Sequence, residues 1–201
     1  MPRLDLEYTF YRRETNKLIA LYANISPLSP TYQKLVAEII VLRLFDLLQN
    51  VIKPVTVKVI CGARYIDGSL PLLLEPAESN QEAVYKMKSH NRKKPRRNLR
   101  WSQVSEVKKN VKYLIDPNDH LVTVLGIHAS FIEEVRCVRN RIAHNNPDSR
   151  KKYRSVVKSH YGAFVNSVTP GILLLSPRRT PTLMEQYLRK SRIFVKEMVK
   201  A

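Results

Sequence analysis

The chain has 201 residues, and its 35 Lys and Arg against 17 Asp and Glu leave a formal charge of +18. A hydrophobic content of 44% can fill the core of one compact domain and excludes wholesale disorder, while 5 Gly and 12 Pro are few for the turns of an all-β sandwich or barrel. The excess charge draws polyanions, nucleic acids first among them, and leaves open whether the protein binds or cuts them.

Taken in chain order, the start Met1-Pro2-Arg3-Leu4-Asp5 has no basic stretch leading into an apolar one, so no signal peptide is expected and a cytoplasmic location is. Leu6 to Ala23 reads as a first helix with Phe10, Leu18, Leu21 and Tyr22 inward. Ser29-Pro30 then offers an N-cap and a proline at the first helical position, where its missing N–H costs nothing. The helix that follows, with Leu35, Ile39, Leu42, Phe45 and Leu48 on a broad stripe that Ile40, Val41 and Leu47 widen to most sides, reads as the central core helix. Its apolar run is broken by Glu38, Arg43 and Asp46, too charged to cross a membrane.

Pro54 is expected to bend or end that helix, with a second helix over the β-branched stretch Val55 to Cys61. Gly62 is expected to terminate it and Asp67-Gly68 to form a tight turn. Ser79-Asn80-Gln81-Glu82 matches a capping box and starts a short helix. A basic loop over residues 89–101 comes next. Its Arg92, Lys93, Lys94, Arg96, Arg97 and Arg100, followed by Trp101, combine phosphate-tracking cations with a stacking ring, a pattern suited to RNA and also to a solvated loop anchored by its tryptophan.

Ser102 is expected to cap a helix with Val104, Val107, Val111 and Leu114 on one face, closed by Asp116-Pro117-Asn118-Asp119. Another begins near His120, and Ser130-Phe131-Ile132-Glu133 offers a capping box for a segment with Phe131, Val135, Val138 and Ile142 inward. Asn145-Asn146-Pro147 stops it, Asp148 is expected to cap a helix through Phe164, and Thr180-Pro181 to open the last one, with Met184, Tyr187, Leu188, Phe194, Val195 and Met198 inward. The whole reads as a single all-α domain, 1–201.

The segment Arg139-Asn140-Arg141-Ile142-Ala143-His144-Asn145 places a guanidinium and an imidazole five positions apart at a helix end. An ideal helix turns about 500° over that interval and leaves the two side chains about 140° apart. The helix is therefore expected to unwind near Ala143, so that Arg139 grips a phosphate while His144 moves a proton near neutral pH.

These residues resemble the motif of the HEPN superfamily: an Arg followed by a polar residue, here Asn140, and a His after four to six intervening positions. The resemblance is strongest over Ser130 to Asn146. It implies a HEPN-like helical bundle, here with a basic loop and additional C-terminal helices. It also implies a metal-independent endoribonuclease of the kind found in bacterial defence and toxin–antitoxin systems, active as a homodimer and in some cases held in check by an antitoxin or regulatory protein. Arg139, Asn140 and His144 carry the catalytic roles in that reading, with Arg136 and Arg141 joining the basic loop in holding RNA. The HEPN branch regulated through a tyrosine two residues after the histidine is disfavoured, because that position is Asn146.

Other readings of the same residues are a non-catalytic HEPN-like module that binds RNA or protein, with the motif as an ordinary capped helix end, and a basic DNA-binding protein. Cys61 and Cys137 form no CxxC pair, and His90, His120, His128 and His160 show neither ligand spacing nor an apparent acidic partner. No metal and no cofactor are expected. Glu133 and Glu134 are expected to complement the N-terminal end of their helix or to orient an arginine.

Overall fold

The computed structural model describes residues 3–90, 92–163 and 165–201. All regular structure among them is α-helical, apart from one isolated antiparallel bridge between Leu73 and Ile115. The helices are α1 (Asp5–Ala23), α2 (Pro30–Ile60), α3 (Asn80–Ser89), α4 (Val104–Val111), α5 (His120–Ile127), α6 (Ala129–Ala143), α7 (Pro147–Tyr161), α8 (Pro170–Leu175) and α9 (Leu183–Val199). The all-α reading holds. No helix among the described residues is long and apolar enough to cross a membrane.

Contacts gather into two compact units. One takes the chain up to Arg12, Leu48–Ile132 and Ile193 onward, and the other takes Arg13–Leu47 and Glu133–Arg192.

In the first unit Pro54 neither ends nor divides α2, contrary to expectation. An internal proline removes one hydrogen bond and costs about 3 kcal/mol. Val51, Ile52, Val55 and Val57 around it are all buried, and each full burial contributes about 1.5–3 kcal/mol, so together they outweigh that loss. The helix stops at the expected glycine. Gly62 has φ +79, its N–H donates to the Val59 carbonyl and the Ala63 N–H to the Lys58 carbonyl, the paired bonds of a left-handed C-cap. The buried Asp119 carboxylate accepts from the Tyr65 hydroxyl (2.7 Å) and from the Leu72 (2.9 Å) and Leu121 (2.8 Å) amides, tying the turn after α2 to the start of α5. The Ser79 box forms, with the Glu82 amide donating to Ser79 Oγ (3.1 Å), although the Glu82 carboxylate reaches back to the Glu78 amide. The α4 face of Val104, Val107, Val111 and Leu114 is buried as expected, but Gln103 rather than Ser102 is the N-cap and makes no side-chain bond.

In the second unit α2 turns Ile40, Val41, Leu44 and Phe45 inward and leaves Leu35 and Ile39 exposed; Leu21 of α1 is exposed too, as is Phe10 in the first unit. Those four were expected inside. Leu18 of α1 and Ile40, Val41, Phe45, Leu47 and Leu48 of α2 are buried as read from sequence, and Tyr11 and Leu44, not singled out there, are buried with them. At Gly171 in α8 a Cβ would come within 2.6 Å of Lys34 Cβ, and the Gly171 amide donates to the Glu38 carboxylate (2.9 Å), so α8 lies backbone to backbone on α2. Helix α8 has no counterpart in the sequence reading. Helix α9 begins after Thr182, whose hydroxyl accepts from the Glu185 amide while the Glu185 carboxylate accepts from the Thr182 amide. This capping box lies two residues beyond the expected Thr180-Pro181 start, and all six residues expected to face inward on α9 are buried.

Candidate functional site

The end of α6 and the start of α7 form one polar turn in the second unit. Helix α6 starts at Ala129, so Ser130 and Glu133 already lie inside it and the expected capping box does not form. Only His128 separates α5 from α6, and its carbonyl accepts the Ile132 amide, so the earlier start is fixed by where α5 stops. At the other end the helix closes at Ala143, as the motif requires, with the His144 amide still bonded to the Asn140 carbonyl. Asn146 caps α7 by accepting the Ser149 amide (2.8 Å), the role expected of Asp148, whose carboxylate pairs instead with Lys152 (2.9 Å). Asn146 thus has a structural task as the N-cap of α7. Helix α7 closes at Tyr161 with Gly162 in a left-handed conformation (φ +76); the expected end at Phe164 lies outside the described residues.

Arg139 and His144 meet across this turn. Arg139 Nη1 lies 3.4 Å from His144 Nε2 and 3.3 Å from Asn140 Oδ1, and its guanidinium sits over the Phe45 ring at 5.6 Å. A guanidinium has no lone pair, so Arg139 can act only as a donor in this contact. Arg139 Nε is buried with no hydrogen-bond partner, and no carboxylate pairs with this arginine among the described residues.

Two further arginines share that character. Arg141 Nη1 (2.8 Å) and Arg150 Nε (3.0 Å) both donate to Asn145 Oδ1, and neither has a carboxylate partner among the described residues. Arg150 was not singled out in the sequence, since only the fold of the turn brings it back to Asn145. Ser149 was also missed. Its buried hydroxyl donates to the His144 carbonyl (2.6 Å), fixing the backbone that carries the imidazole. The turn thus holds two groups, Arg139 with Asn140 and the exposed His144, and Arg141 with Arg150 on Asn145; in both the guanidinium groups meet neutral amide oxygens, and their unmatched charge suits an anion.

The neighbouring acids do other work. Glu133 takes a bidentate pair from Arg136, whose side chain is only 12% exposed, with the Nε bond at 2.7 Å. Burial acts to raise the Glu133 carboxyl, but the Arg136 guanidinium carries it below its ordinary value, and the Glu133 bonds raise Arg136. Arg136, read from sequence as an RNA contact, is committed to that pair. Burial, and then the Glu133 charge, push the Cys137 thiol up to about 11. Glu134 accepts from Tyr187 Oη (2.8 Å) and pairs with His160 (3.1 Å). Neither glutamate lies in the first turn of α6, so the expected role at its N-terminal end is not the one they have. His160 does have an acidic partner, 26 residues away, and so does His128, bonded to Glu197 at 2.6 Å.

The basic loop, in the first unit, divides in two. Arg92 closes the C-terminal end of α3 through the Lys88 (2.8 Å) and Met87 (3.2 Å) carbonyls, and Arg96 pairs with Glu106 (2.8 Å), which lies below its ordinary value chiefly through that bond. Lys93, Lys94, Arg97 and Arg100 are exposed and Trp101 is half-buried. Among the described residues no group of three His, Cys, Asp or Glu is placed to hold a metal ion. No family model, curated protein or solved structure matches the chain.

Proposed function

We propose that the protein is a HEPN-like, metal-independent endoribonuclease that acts as a homodimer. The observation that carries this reading is the pairing of Arg139 with His144, with the Asn140 amide oxygen in place of a carboxylate. A guanidinium so placed is electrostatically incomplete until an anion meets it. In the reaction the RNA 2′-oxygen bonds to phosphorus as His144 of one protomer takes its proton. The bond from phosphorus to the 5′-oxygen breaks, and an imidazolium opposite returns a proton to that oxygen. The products are a 2′,3′-cyclic phosphate and a 5′-hydroxyl. Arg139 neutralises the charge that develops on the phosphorane oxygens, and Asn140 holds Arg139 in place.

Each chain supplies one such histidine, so acid and base on opposite sides of phosphorus require two copies. A stripe on α2 supports a second copy: Tyr32, Leu35 and Ile39 share one face and are 62%, 51% and 50% exposed, on the same helix that places Phe45 under Arg139. The setting consistent with this chemistry is cytoplasmic phage defence or a toxin–antitoxin pair, with an antitoxin or other regulator restraining the enzyme.

The test is cleavage of mixed RNAs by defined heterodimers of wild-type and His144→Ala chains, alongside sedimentation. The proposal expects activity from dimers only, a sharp loss in the mixed dimer, and products with cyclic phosphate ends. Full per-site activity from a monomer would remove the composite site. Wild-type rates from folded Arg139→Ala and His144→Ala homodimers would end the assignment of cleavage to this motif, and absence of cleavage by the wild-type dimer would leave the non-catalytic reading, in which the turn is a self-capped helix end.

A further inference from the structure

A second feature, in the first unit, is an open groove of about 890 Å³. One wall is the face of α3 formed by Asn80, Gln81, Val84, Tyr85 and Lys88, and the other is the face of α2 formed by Asn50, Lys53, Pro54 and Val57. Phe10 of α1 completes it. The spacings i, i+4, i+8 on α3 and i, i+3, i+4, i+7 on α2 mark single helical faces, so the lining is a continuous surface. Its volume is within the range of ligand sites, about 300–1,000 Å³.

Its chemistry is specific. Two rings, Phe10 and Tyr85, are 44% and 61% exposed. Three amide side chains, Asn50, Asn80 and Gln81, line the same space, and those of Asn50 and Gln81 make no hydrogen bond among the described residues. Pro54 has no N–H, so the Asn50 carbonyl also lacks the donor a helix would give it. Lys53 and Lys88 are the charged groups in the lining and no carboxylate is among them. Glu82, at the start of α3, is held by Lys86 and the Glu78 amide. Aromatic faces for stacking, unpaired amides for base edges and lysines for phosphates are the three elements by which proteins hold unpaired nucleotides.

The groove also leads somewhere. The Lys88 carbonyl accepts from the Arg92 side chain (2.8 Å) and from the Arg96 amide (3.0 Å), so the loop bearing Lys93, Lys94 and Arg97 springs from the end of the lined face. We propose that this groove is a binding site for single-stranded RNA. A base stacks on Tyr85, its edge meets the Asn50, Asn80 and Gln81 amides, and the strand leaves past Lys88 onto the basic loop. The inference takes RNA as ligand from the proposed function but does not require Arg139 or His144 to be catalytic.

The experiment is fluorescence anisotropy with a labelled 2′-O-methyl RNA of about 8 nucleotides, a length suited to one such surface, which cannot be cut because its nucleophilic hydroxyl is blocked. Tyr85→Ala should weaken binding about 5- to 100-fold, the loss of one stacked base, and Tyr85→Phe should restore it. Lys53→Gln with Lys88→Gln should lower the slope of log affinity against log salt by about 1.4. Cleavage by His144→Ala chains reads the catalytic proposal, whereas anisotropy of this uncut probe on the Tyr85 and lysine variants reads the groove, so the two failures appear in different assays. The inference is overturned if folded Tyr85→Ala and double-lysine proteins bind with unchanged affinity and salt slope. It is equally overturned if an acidic helical peptide binds the groove and the RNA does not.

Discussion

The basic loop between α3 and α4 and the arginines at the end of α6 are alike in composition and opposite in surroundings. In the loop, Arg92 is spent on helix carbonyls and Arg96 on Glu106, so two of its cations are structural. At the turn from α6 into α7, the hydrogen bonds of Arg139, Arg141 and Arg150 among the described residues go to amide oxygens and an imidazole. The histidines divide in the same way. His128 and His160 face Glu197 and Glu134, whereas His144 faces an arginine. What distinguishes a site from a scaffold here is the partner's charge, since a cation already neutralised within the fold has little left for a ligand.

The sharpest way to break this comparison is to exchange the roles. Arg139→Met should cut RNA cleavage about 10²- to 10³-fold while leaving thermal stability within about 0.5 kcal/mol of wild type or above it, since the buried Nε contributes an unmet donor rather than a bond. Activity and calorimetry on one preparation decide it, and a large loss of stability would make Arg139 structural. Glu134→Gln should do the reverse, costing about 2 kcal/mol of stability, because it withdraws a charged acceptor from the Tyr187 hydroxyl and from His160. Burial works to raise the Glu134 carboxyl, but the bonds from His160 and Tyr187 hold it below its ordinary value. A carboxyl depressed in the folded state contributes fully above its unfolded value of about 4.3, and its contribution disappears as pH falls through the lower folded value. Melting temperatures measured from pH 6 to pH 3 should therefore converge for wild type and Glu134→Gln.

Smaller effects sharpen the same contrast. Ser149→Ala should lower kcat about 10-fold with KM unchanged, because the hydroxyl positions the His144 backbone and touches no substrate. A raised KM with kcat unchanged would make it a binding residue. Arg92→Ala should cost about 1–2 kcal/mol in urea unfolding and leave cleavage in place. The smallest expected change is in salt dependence: neutralising Lys93, Lys94, Arg97 and Arg100 should reduce the RNA salt slope by up to about 2.8. Cleavage throughout should survive EDTA, and complete loss restored by magnesium would remove the proposed chemistry.

How much of this was legible in the sequence depended on whether the deciding interaction was local. The Ser79 box, the Gly62 stop and the Pro30 start are settled within a few residues and appear where expected. Ser130 has the same local pattern as Ser79, yet α6 starts before it because α5 ends at Ile127, a competition the pattern does not contain. Pro54 stays helical because burial elsewhere on α2 outweighs its local cost. The convergence of Arg139 and His144 was readable since it needs only a helix stop, which Asn145-Asn146-Pro147 announces. Arg150 and the carboxylates facing His128 and His160 were not, because turn geometry or contacts between distant segments put them there.

The close seat of α8 gives one amide an unusual meaning in hydrogen exchange. Six residues are far too few to hold a helix in isolation, so α8 exists only while it is docked. The Gly171 N–H, at its first turn, is bonded to the Glu38 carboxylate of α2 rather than to any carbonyl of its own helix. Its exchange with deuterium therefore reports departure of α8 from α2, and the amides of Leu173 and Leu174 should be released in the same event, as one cooperative opening rather than by fraying from the end.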